Sequence, residues 1–418
     1  MHIHLADFIR NTPEGTAAEI ALRDCVRCGF CIATCPTYQL LGDESDSPRG
    51  RIDLVRQAVE GKAITADMQL HLDRCLTCRL CETTCPSGVQ FGRILDVGRH
   101  IVEQHVGRSF FESYKRKILR SIVPDAARFS KWLRIGQRMR WLLPASLRDQ
   151  VPAPARAAQP WPENSHPRKM LVLDGCVQPA LSPATNAAAA RVLDRLGITL
   201  MRAPSAGCCG AVTHHLSAHN EALELVKRNI DAWWPHIEAG AEAIIMTASG
   251  CGVMVKDYGR LLADDRSYAD KAARVSELTK DISEIIAANL EKLRALPAFS
   301  ARTAAPAKVA FHAPCTLQHT LKLKTDTEAL LTALGFELAK VKEAHLCCGS
   351  AGTYSILQPE LAQRLRTNKI KALIGDAPTA ILTANIGCQC HLQGGTELPV
   401  RHWMEALDDV LSSHTASR

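Results

Sequence analysis

Four short apolar runs divide the C-terminal two thirds of the chain, and segments of helical period separate them. The runs are continuous rather than alternating, at Lys169 to Leu173, Ala243 to Met246, Lys308 to Phe311 and Thr379 to Thr383. Continuous apolar runs of this length between helical patterns indicate strands that are buried on both faces of a parallel sheet. The pattern therefore predicts an α/β fold with parallel strands from Lys169 onward.

The first 143 residues carry helical patterns instead. One predicted helix runs from Ala17 to Asp24, and another runs from about Ala66 to Arg74. Ser47 and Pro48 are suited to the N-cap and first position of a further helix. This part of the chain is therefore predicted to be helical.

A proline-rich segment separates the two kinds of pattern. Six prolines lie between positions 144 and 167, which favours an extended, semi-rigid linker. We therefore divide the chain into a helical domain at 1–143, a linker at 144–168 and two further domains at 169–300 and 301–418. A length of 418 residues is compatible with two or three domains.

The two C-terminal domains are predicted to be copies of one unit. The cysteines Cys176, Cys208 and Cys209 recur 139 positions later as Cys315, Cys347 and Cys348, and Cys251 recurs after 137 positions as Cys388. The carboxyl ends of parallel strands are where ligands gather in open α/β sheets. We therefore expect each copy to bring its four cysteines together at one sheet edge.

These paired thiols call for a chemical explanation. Buried cysteine is often an inert core residue, but a doublet followed by glycine and repeated at a fixed distance is poorly explained by packing. Soft thiolates in a concave set favour an iron-sulfur centre or a redox-active dithiol, and zinc stays open as an alternative. We expect a metal centre in at least one copy.

Eight further cysteines form two runs of identical spacing in the helical domain. The runs are C-x2-C-x2-C-x3-C-P, at Cys25, Cys28, Cys31 and Cys35 and at Cys75, Cys78, Cys81 and Cys85. In this bacterial ferredoxin arrangement, three thiolates hold one cluster and the fourth reaches the neighbouring cluster. We assign Cys25, Cys28, Cys31 and Cys85 to one [4Fe-4S] cluster, and Cys75, Cys78, Cys81 and Cys35 to the other.

Zinc is the competing interpretation of these runs. A zinc ribbon takes two thiolates from each run and has no need of the others, so iron-sulfur clusters are favoured. The segment between the runs is predicted to be helical, which favours an α-helical ferredoxin domain over a compact β-rich one. Disulfides are not expected, because the N-terminus shows no secretory signal and a reducing cytoplasm is the expected location.

Positive charge is concentrated in one segment. The net charge is +7, and the segment from Arg108 to Arg148 alone holds eleven Lys or Arg against Glu112 and Asp125. Aromatic residues are interleaved with these cations, which suits a partner-facing helical pair or peripheral contact with a membrane. Nucleic acid binding is not expected, because the pI of about 8.6 is below the usual range. No stretch is long and apolar enough to cross a membrane.

The segments CVRCGFCIATCPTYQLLGDE, HLDRCLTCRLCETTCPSG, AGCCGAV, HLCCGSAGTY and TANIGC together resemble one family. The doublets resemble the cysteine-rich CCG domain that heterodisulfide reductases share with anaerobic glycerol-3-phosphate dehydrogenases and lactate-utilisation proteins. The fullest resemblance, over nearly the whole chain, is to glycolate oxidase iron-sulfur subunits. It implies an α-helical ferredoxin domain followed by a duplicated α/β CCG domain.

One departure from the CCG pattern affects the chemistry. Heterodisulfide reductase ends its ligand set with C-x-x-C, whereas Cys251 and Cys388 lack a cysteine at the third following position. Each copy is therefore short of one thiolate, unless Cys390 or His391 substitutes. This makes disulfide reduction at these cysteines less favoured than electron transfer.

The resemblance implies an electron-transfer subunit of a glycolate dehydrogenase that oxidises glycolate, or also D-lactate, to the oxo acid. FAD-binding partner subunits would carry the flavin, because this chain has no G-x-G-x-x-G segment after a predicted strand. Electrons would pass through two [4Fe-4S] clusters and the CCG domains to a quinone or similar acceptor, at the inner face of the cell membrane.

Two alternatives stay open. One is the iron-sulfur subunit of a glycerol-3-phosphate or lactate dehydrogenase, and the other is a thiol/disulfide reductase. The histidines near the C-terminal cysteines, His312, His319, His345 and His391, are expected to be structural. Arg49 and Arg51 are expected to raise the potential of the first cluster if they fold near it.

Overall fold

The computed structural model describes residues 3–142, 151–300 and 308–412. These residues form two compact units, each of which is discontinuous in sequence. The first, here the helical unit, comprises Met1–Lys117, His215–Ser217 and His345–Lys369. The second, here the sheet unit, comprises Ile118–His214, Ala218–Ala344 and Ile370–Arg418. The predicted domain limits at 143, 168 and 300 stay predictions, and Pro144 and residues 301–307 lie outside the described part.

The first 142 residues contain nine α-helices in the part that the structure describes. They are α1 (Pro13–Arg23), α2 (Phe30–Thr34), α3 (Pro36–Leu41), α4 (Pro48–Val59), α5 (Ala66–Asp73), α6 (Leu80–Thr84), α7 (Phe91–His105), α8 (Phe110–Ile122) and α9 (Ala126–Arg138). Short 3-10 turns lie at Glu44–Asp46 and Arg140–Leu142. Ser47 caps α4 as predicted, because its hydroxyl accepts a hydrogen bond from the Gly50 amide at 3.0 Å.

The core of the helical unit lies between α7 and the helices α1, α4 and α5 that pack on it. Leu22, Val59, Ile94 and Leu95 are fully buried there. Helices α4 and α7 approach closely at Gly98, where an added Cβ would lie 2.3 Å from Val55 Cγ2. Burial of this apolar face supplies the main stabilisation of the unit.

The sheet unit contains two four-stranded parallel sheets. The first has the order β2-β1-β3-β4 and the second has the order β6-β5-β7-β8. The strands are β1 (Arg168–Val172), β2 (Ile198–Arg202), β3 (Ile244–Met246), β4 (Thr279–Asp281), β5 (Lys308–His312), β6 (Glu337–Leu338), β7 (Ala380–Thr383) and β8 (Val400–His402). The identical order confirms the predicted duplication and the parallel α/β class.

Helices connect these strands. The longer ones are Pro183–Arg195, His219–Glu238, Ala269–Leu278, Lys324–Ala333, Pro359–Ile374 and Trp403–Ser412. The shorter ones are Gln178–Leu181, Ala211–His215, Ser249–Lys256, Tyr258–Leu261, Ile282–Ala288, Leu290–Arg294, Pro297–Ser300, Tyr354–Leu357 and Ile386–Gln393, with a π-helical turn at Thr316–Thr320. None of the described helices has the length and apolar content of a membrane span.

The two sheets share one hydrophobic core. Met170 and Val172 of β1 lie in a cluster with Phe311 of β5 and Leu382 of β7, whereas the alternating Leu171 packs into a separate cluster on the opposite face. Such alternation is what a strand buried on both faces requires. The two copies are therefore packed together within the sheet unit.

Candidate iron-sulfur centres

The two cysteine runs fold into loops of the same local conformation. Arg27 and Thr77 have positive φ, and so do Gly29 and Arg79, the residues two positions later. Helices α2 and α6 begin directly after these loops and pack against each other. The two residues with positive φ in each run turn the chain sharply. Each loop therefore surrounds the space that its cysteines line.

The first recess has a volume of about 450 Å³ and lies in the helical unit. Its lining includes five cysteines, Cys25, Cys28, Cys31, Cys81 and Cys85. Cys28 is exposed, whereas Cys25, Cys31 and Cys85 are half-buried. Burial raises the pKa of Cys31 to about 11, and the neighbouring charges of Cys25, Cys85 and Cys28 act in the same direction.

The second recess, of about 320 Å³, is lined by more deeply buried cysteines. Its cysteines are Cys35, Cys75, Cys78 and Cys81, of which all but Cys78 are buried. Burial raises the pKa of Cys81 well above its ordinary value, followed in effect by the charges of Cys78 and Cys75. The Thr37 hydroxyl lies 3.2 Å from Cys35 Sγ, and the Thr77 amide donates to Cys75 Sγ at 3.5 Å.

Each recess thus contains three cysteines of one run and the last cysteine of the other, and the first recess is bordered by Cys81 as well. These are the two sets to which the spacing assigns the clusters, and Cys81 borders both recesses. The proximity of several thiols opposes their ionisation, because neighbouring thiolates repel each other. A cationic iron cluster would favour the ionised thiolates. The ligand assignment itself stays a prediction.

Two arginines of α4 lie at different recesses. Arg49 lines the first recess and Arg51 lines the second. The condition set for an effect on the first cluster, that the arginine folds near it, is therefore met by Arg49 and not by Arg51. The two residues are two positions apart on one helix and so point to different sides of it.

The first cysteine-rich copy gathers its cysteines within the sheet unit. Cys176 follows β1, and Cys251 lies on the first turn of the helix after β3, so both stand beyond the carboxyl ends of parallel strands. Hydrogen bonds from Cys176 and Cys209 lower the pKa of Cys208 well below its ordinary value. The pKa of Cys209 is raised by its hydrogen bonds to Cys208 and Cys251 and by burial.

Polar side chains hold this doublet in place. Tyr258 donates to the Cys209 carbonyl at 2.9 Å, and Asn229 donates to the Cys208 carbonyl at 2.9 Å and to the Tyr258 hydroxyl at 3.0 Å. Gly210 has φ +91°, and an added Cβ would meet the Ala222 carbonyl oxygen at 3.2 Å. The glycine of the doublet motif is therefore required by both backbone conformation and packing. Neither Asn229 nor Tyr258 carries a local sequence signal that would have singled it out.

The cysteines of the second copy fall in both units. Cys315 and Cys388 belong to the sheet unit, and Cys347 and Cys348 belong to the helical unit. Within the sheet unit, the ligand atoms of His312 and Cys388 lie within 4.8 Å of each other. His312, which the sequence predicts to be structural, is thus close enough to a cysteine to share a metal with it.

The helix Ile386–Gln393 carries both residues that could complete the shorter ligand set. Cys390 is two positions after Cys388 and so lies on another side of the helix, whereas His391 is three positions after it and shares its face. The Asn385 side chain donates to Cys388 Sγ at 3.6 Å. Of the two, His391 is the better placed.

Comparisons with known proteins agree with this division into cysteine sites. Residues 21–89 match a 4Fe-4S dicluster domain, and residues 170–256 and 309–393 match a cysteine-rich domain. These matches define an iron-sulfur protein with a dicluster domain followed by two cysteine-rich domains. Both matched domains coincide with the cysteine sets described above.

Relatives narrow the class further. The chain is 52% identical to the glycolate oxidase iron-sulfur subunit of Escherichia coli K12, covering 98% of this chain and 99% of the relative. It is 30% identical to the probable glycolate oxidase iron-sulfur subunit of Bacillus subtilis, covering 93% and 92%. The chain belongs to the family of glycolate oxidase iron-sulfur subunits. A lactate utilization protein A from an Exiguobacterium is 24% identical over 56% of this chain.

Proposed function

We propose that this chain is the electron-transfer subunit of a complex that oxidises glycolate to glyoxylate. The observation that carries the proposal is the arrangement of eight cysteines around two recesses, each of which is lined by cysteines from both runs. A [4Fe-4S] cluster accepts and releases one electron at a time. Glycolate is proposed as the substrate of the complex because the relatives that match the whole chain are glycolate oxidase subunits.

The residues present fit such clusters better than zinc. A zinc site takes four ligands around one metal, whereas five cysteines line the first recess, four line the second and Cys81 borders both. Cys25, Cys28, Cys31 and Cys85 would hold the first cluster, and Cys35, Cys75, Cys78 and Cys81 would hold the second. All eight ligands are soft thiolates, the donors that iron-sulfur clusters take.

Hydride removal from glycolate is assigned to a flavoprotein partner. A hydroxy acid loses two electrons together, and a flavin can accept both and pass them on singly. The exposed Cys28 is a suitable point of entry, because Val26 and Phe30 beside it are 69% and 66% exposed and offer an apolar surface for a partner. We propose that the FAD-binding subunit docks at this face of the helical unit.

The cysteine-rich copies are proposed to carry electrons onward to a quinone or similar acceptor. Cys176, Cys208, Cys209 and Cys251 would hold a metal centre in the first copy, where Cys208 is hydrogen-bonded to both Cys176 and Cys209. Cys315, Cys347, Cys348 and Cys388 are the corresponding set of the second copy. A lactate-oxidising complex is a second candidate, since lactate utilization proteins match half of the chain.

The complex is proposed to work at the cytoplasmic face of a membrane. On α9 and the turn after it, Trp132, Ile135, Met139 and Leu142 are spaced as one stripe of a helix, and each is at least 36% exposed. The cations Arg128, Lys131, Arg134 and Arg138 flank the stripe. Exposed apolar residues with flanking cations are typical of helices that bind anionic membrane surfaces.

The experiment that tests the electron-transfer role separates flavin reduction from onward transfer. The chain is purified with its flavoprotein partners, and glycolate is mixed with wild type and with the variant Cys78→Ser. Bleaching of the flavin should be unchanged in the variant, whereas steady-state quinone reduction should be lost. Loss of flavin bleaching in the variant would instead place glycolate oxidation on this chain. Repeating the mixing with lactate and with glycerol 3-phosphate decides between the candidate substrates.

A further inference from the structure

A buried arginine lies beside the second recess. Arg51 is 1% exposed, and its guanidinium donates to the Thr37 hydroxyl at 3.1 Å and to the carbonyl of His71 at 2.8 Å. Its Nη1 atom is also 3.9 Å from Cys35 Sγ. A fully buried arginine is rare, because removing its charge from water is costly unless the charge is paired.

The pairing of this charge is incomplete. Asp46, which is fully buried, accepts from Arg51 at 3.1 Å through Oδ1 and from Arg74 at 2.9 Å through Oδ2. One carboxylate is thus shared between two guanidinium groups. Arginine stays protonated in proteins. The group is therefore a permanent cation 3.9 Å from the sulfur of Cys35.

Among the described residues that line the first recess, none is a comparably buried cation. Its two arginines, Arg27 and Arg49, pair respectively with the partly exposed Asp53 and with the exposed Glu44. Both arginines are themselves partly exposed, at 42% and 29% of their side-chain surface. Water therefore screens both of these charges, whereas Arg51 is buried away from it.

We propose that Arg51 raises the reduction potential of the cluster held by Cys35, Cys75, Cys78 and Cys81, and so favours placing the electron at this second site. The inference rests on the proposed function, which assigns a [4Fe-4S] cluster to those cysteines. Reduction adds a negative charge to a cluster that already carries four thiolates. A fixed cation 3.9 Å from the sulfur of one proposed ligand would stabilise that charge, and its effect should be strong because Arg51 is shielded from water.

The chain offers a matched control on the neighbouring helix. The sequence Gly50-Arg51-Ile52 near the start of α4 recurs as Gly92-Arg93-Ile94 near the start of α7. Arg93 is exposed, in contrast to Arg51. Its charge is screened by water, so replacing it should change neither cluster.

The test is a redox titration of the full chain, followed by EPR, on wild type, Arg51→Met, Arg51→Lys and Arg93→Met. The signal of the second cluster is recognised by its change in Cys35→Ser. Arg51→Met should move the potential of the second cluster to a more negative value and leave the first unchanged. Arg51→Lys should retain most of the wild-type potential, and Arg93→Met should retain all of it.

A second variant, expected to shift the potential of the second cluster in the opposite direction, keeps the inference testable if Arg51→Met does not assemble its clusters. Asp46→Asn removes the shared negative charge while keeping both guanidiniums, so the second potential should become more positive. An unchanged second potential in Arg51→Met or in Asp46→Asn, with both clusters present, overturns the inference. So does an Arg51→Lys variant that shifts as far as Arg51→Met. A wild-type chain without [4Fe-4S] signals would overturn the proposed function itself, which is a distinct result.

Discussion

The hydroxyl of Tyr354 donates a hydrogen bond of 3.1 Å to the carbonyl oxygen of Arg74, the residue immediately before Cys75. Both residues belong to the helical unit, as does Cys347. Burial raises the pKa of Tyr354, and the charges of Cys75 and Cys347 add to the effect. The phenol is therefore close to a proposed ligand of the second cluster and to a cysteine of the second copy. It is a direct connection between the two kinds of cysteine motif.

Replacing Tyr354 with phenylalanine should disturb the second cluster and leave the first intact. The change removes the hydroxyl that donates to the Arg74 carbonyl. Loss of this hydrogen bond should lower the free energy of unfolding by about 1 kcal/mol. EPR of the reduced protein should show an altered signal for the second cluster only. The matched control is Tyr258→Phe, which removes a similar hydrogen bond to Cys209 in the sheet unit. If both variants alter the same cluster, Tyr354 has no specific role.

The ligand sets predict a characteristic result for Cys35→Ser. Cys35 is the last cysteine of the first run but lines the second recess. Purified wild-type protein should carry about eight iron atoms in its two ferredoxin-type clusters, by the spacing of the runs. The variant should change the signal of the cluster held by Cys75, Cys78 and Cys81. Cys85→Ser is the reciprocal control and should change the other signal. A chain that binds zinc in place of iron would contradict both expectations.

His402 predicts a loss of stability in mild acid. Its Nδ1 accepts from the Met404 amide at 3.1 Å, so its Nε2 carries the proton and donates to the Thr247 carbonyl at 2.7 Å. Burial lowers the pKa of His402 to about 4, against an ordinary 6.5. The folded state resists protonation of His402, whereas the unfolded state accepts the proton below pH 6.5. The contribution of the neutral His402 ring to the free energy of unfolding is therefore complete above pH 6.5 and is lost as the pH falls towards 4.

The measurement is urea unfolding of the full chain at several pH values, followed by tryptophan fluorescence. The His402 contribution corresponds to roughly 3 kcal/mol between pH 6.5 and 4. His402→Gln should lower stability at pH 7 and flatten its dependence on pH over this window. His4→Gln, at an exposed position, serves as the control and should behave as wild type. An equally steep loss in both variants would assign the acid sensitivity to other groups.

The apolar stripe on α9 predicts binding to anionic vesicles. The chain should sediment with vesicles that contain phosphatidylserine or phosphatidylglycerol and remain in the supernatant with phosphatidylcholine alone. Trp132→Ser together with Ile135→Ser should abolish sedimentation, because both side chains are exposed in the structure. Lys271→Ser, a cation near Trp234 on another part of the sheet unit, is the control. Unchanged sedimentation of the double variant would exclude α9 as the contact.

The spacing of the cysteine runs was sufficient to predict the two ferredoxin-type sets, because most of each set lies within seven residues. The central strands β1, β3, β5 and β7 were also predictable, since burial on both faces makes them continuously apolar. The edge strands β2, β4, β6 and β8 were not predicted. These strands are short or contain partly exposed positions, so no continuous apolar run marks them in the sequence. They are defined by their hydrogen bonds to the adjacent strand.

The sequence by itself therefore determined the chemistry of this protein: thiolate sets, a duplicated parallel α/β unit and a helical ferredoxin domain. The tertiary structure decided which charged and hydroxyl-bearing side chains lie next to each set of cysteines. Arg49 and Arg51 are neighbours in the sequence but lie at different recesses, and Tyr354 reaches Arg74 across 280 positions. Periodicity and motif spacing report local conformation, whereas the partner of a buried polar group depends on how distant segments pack.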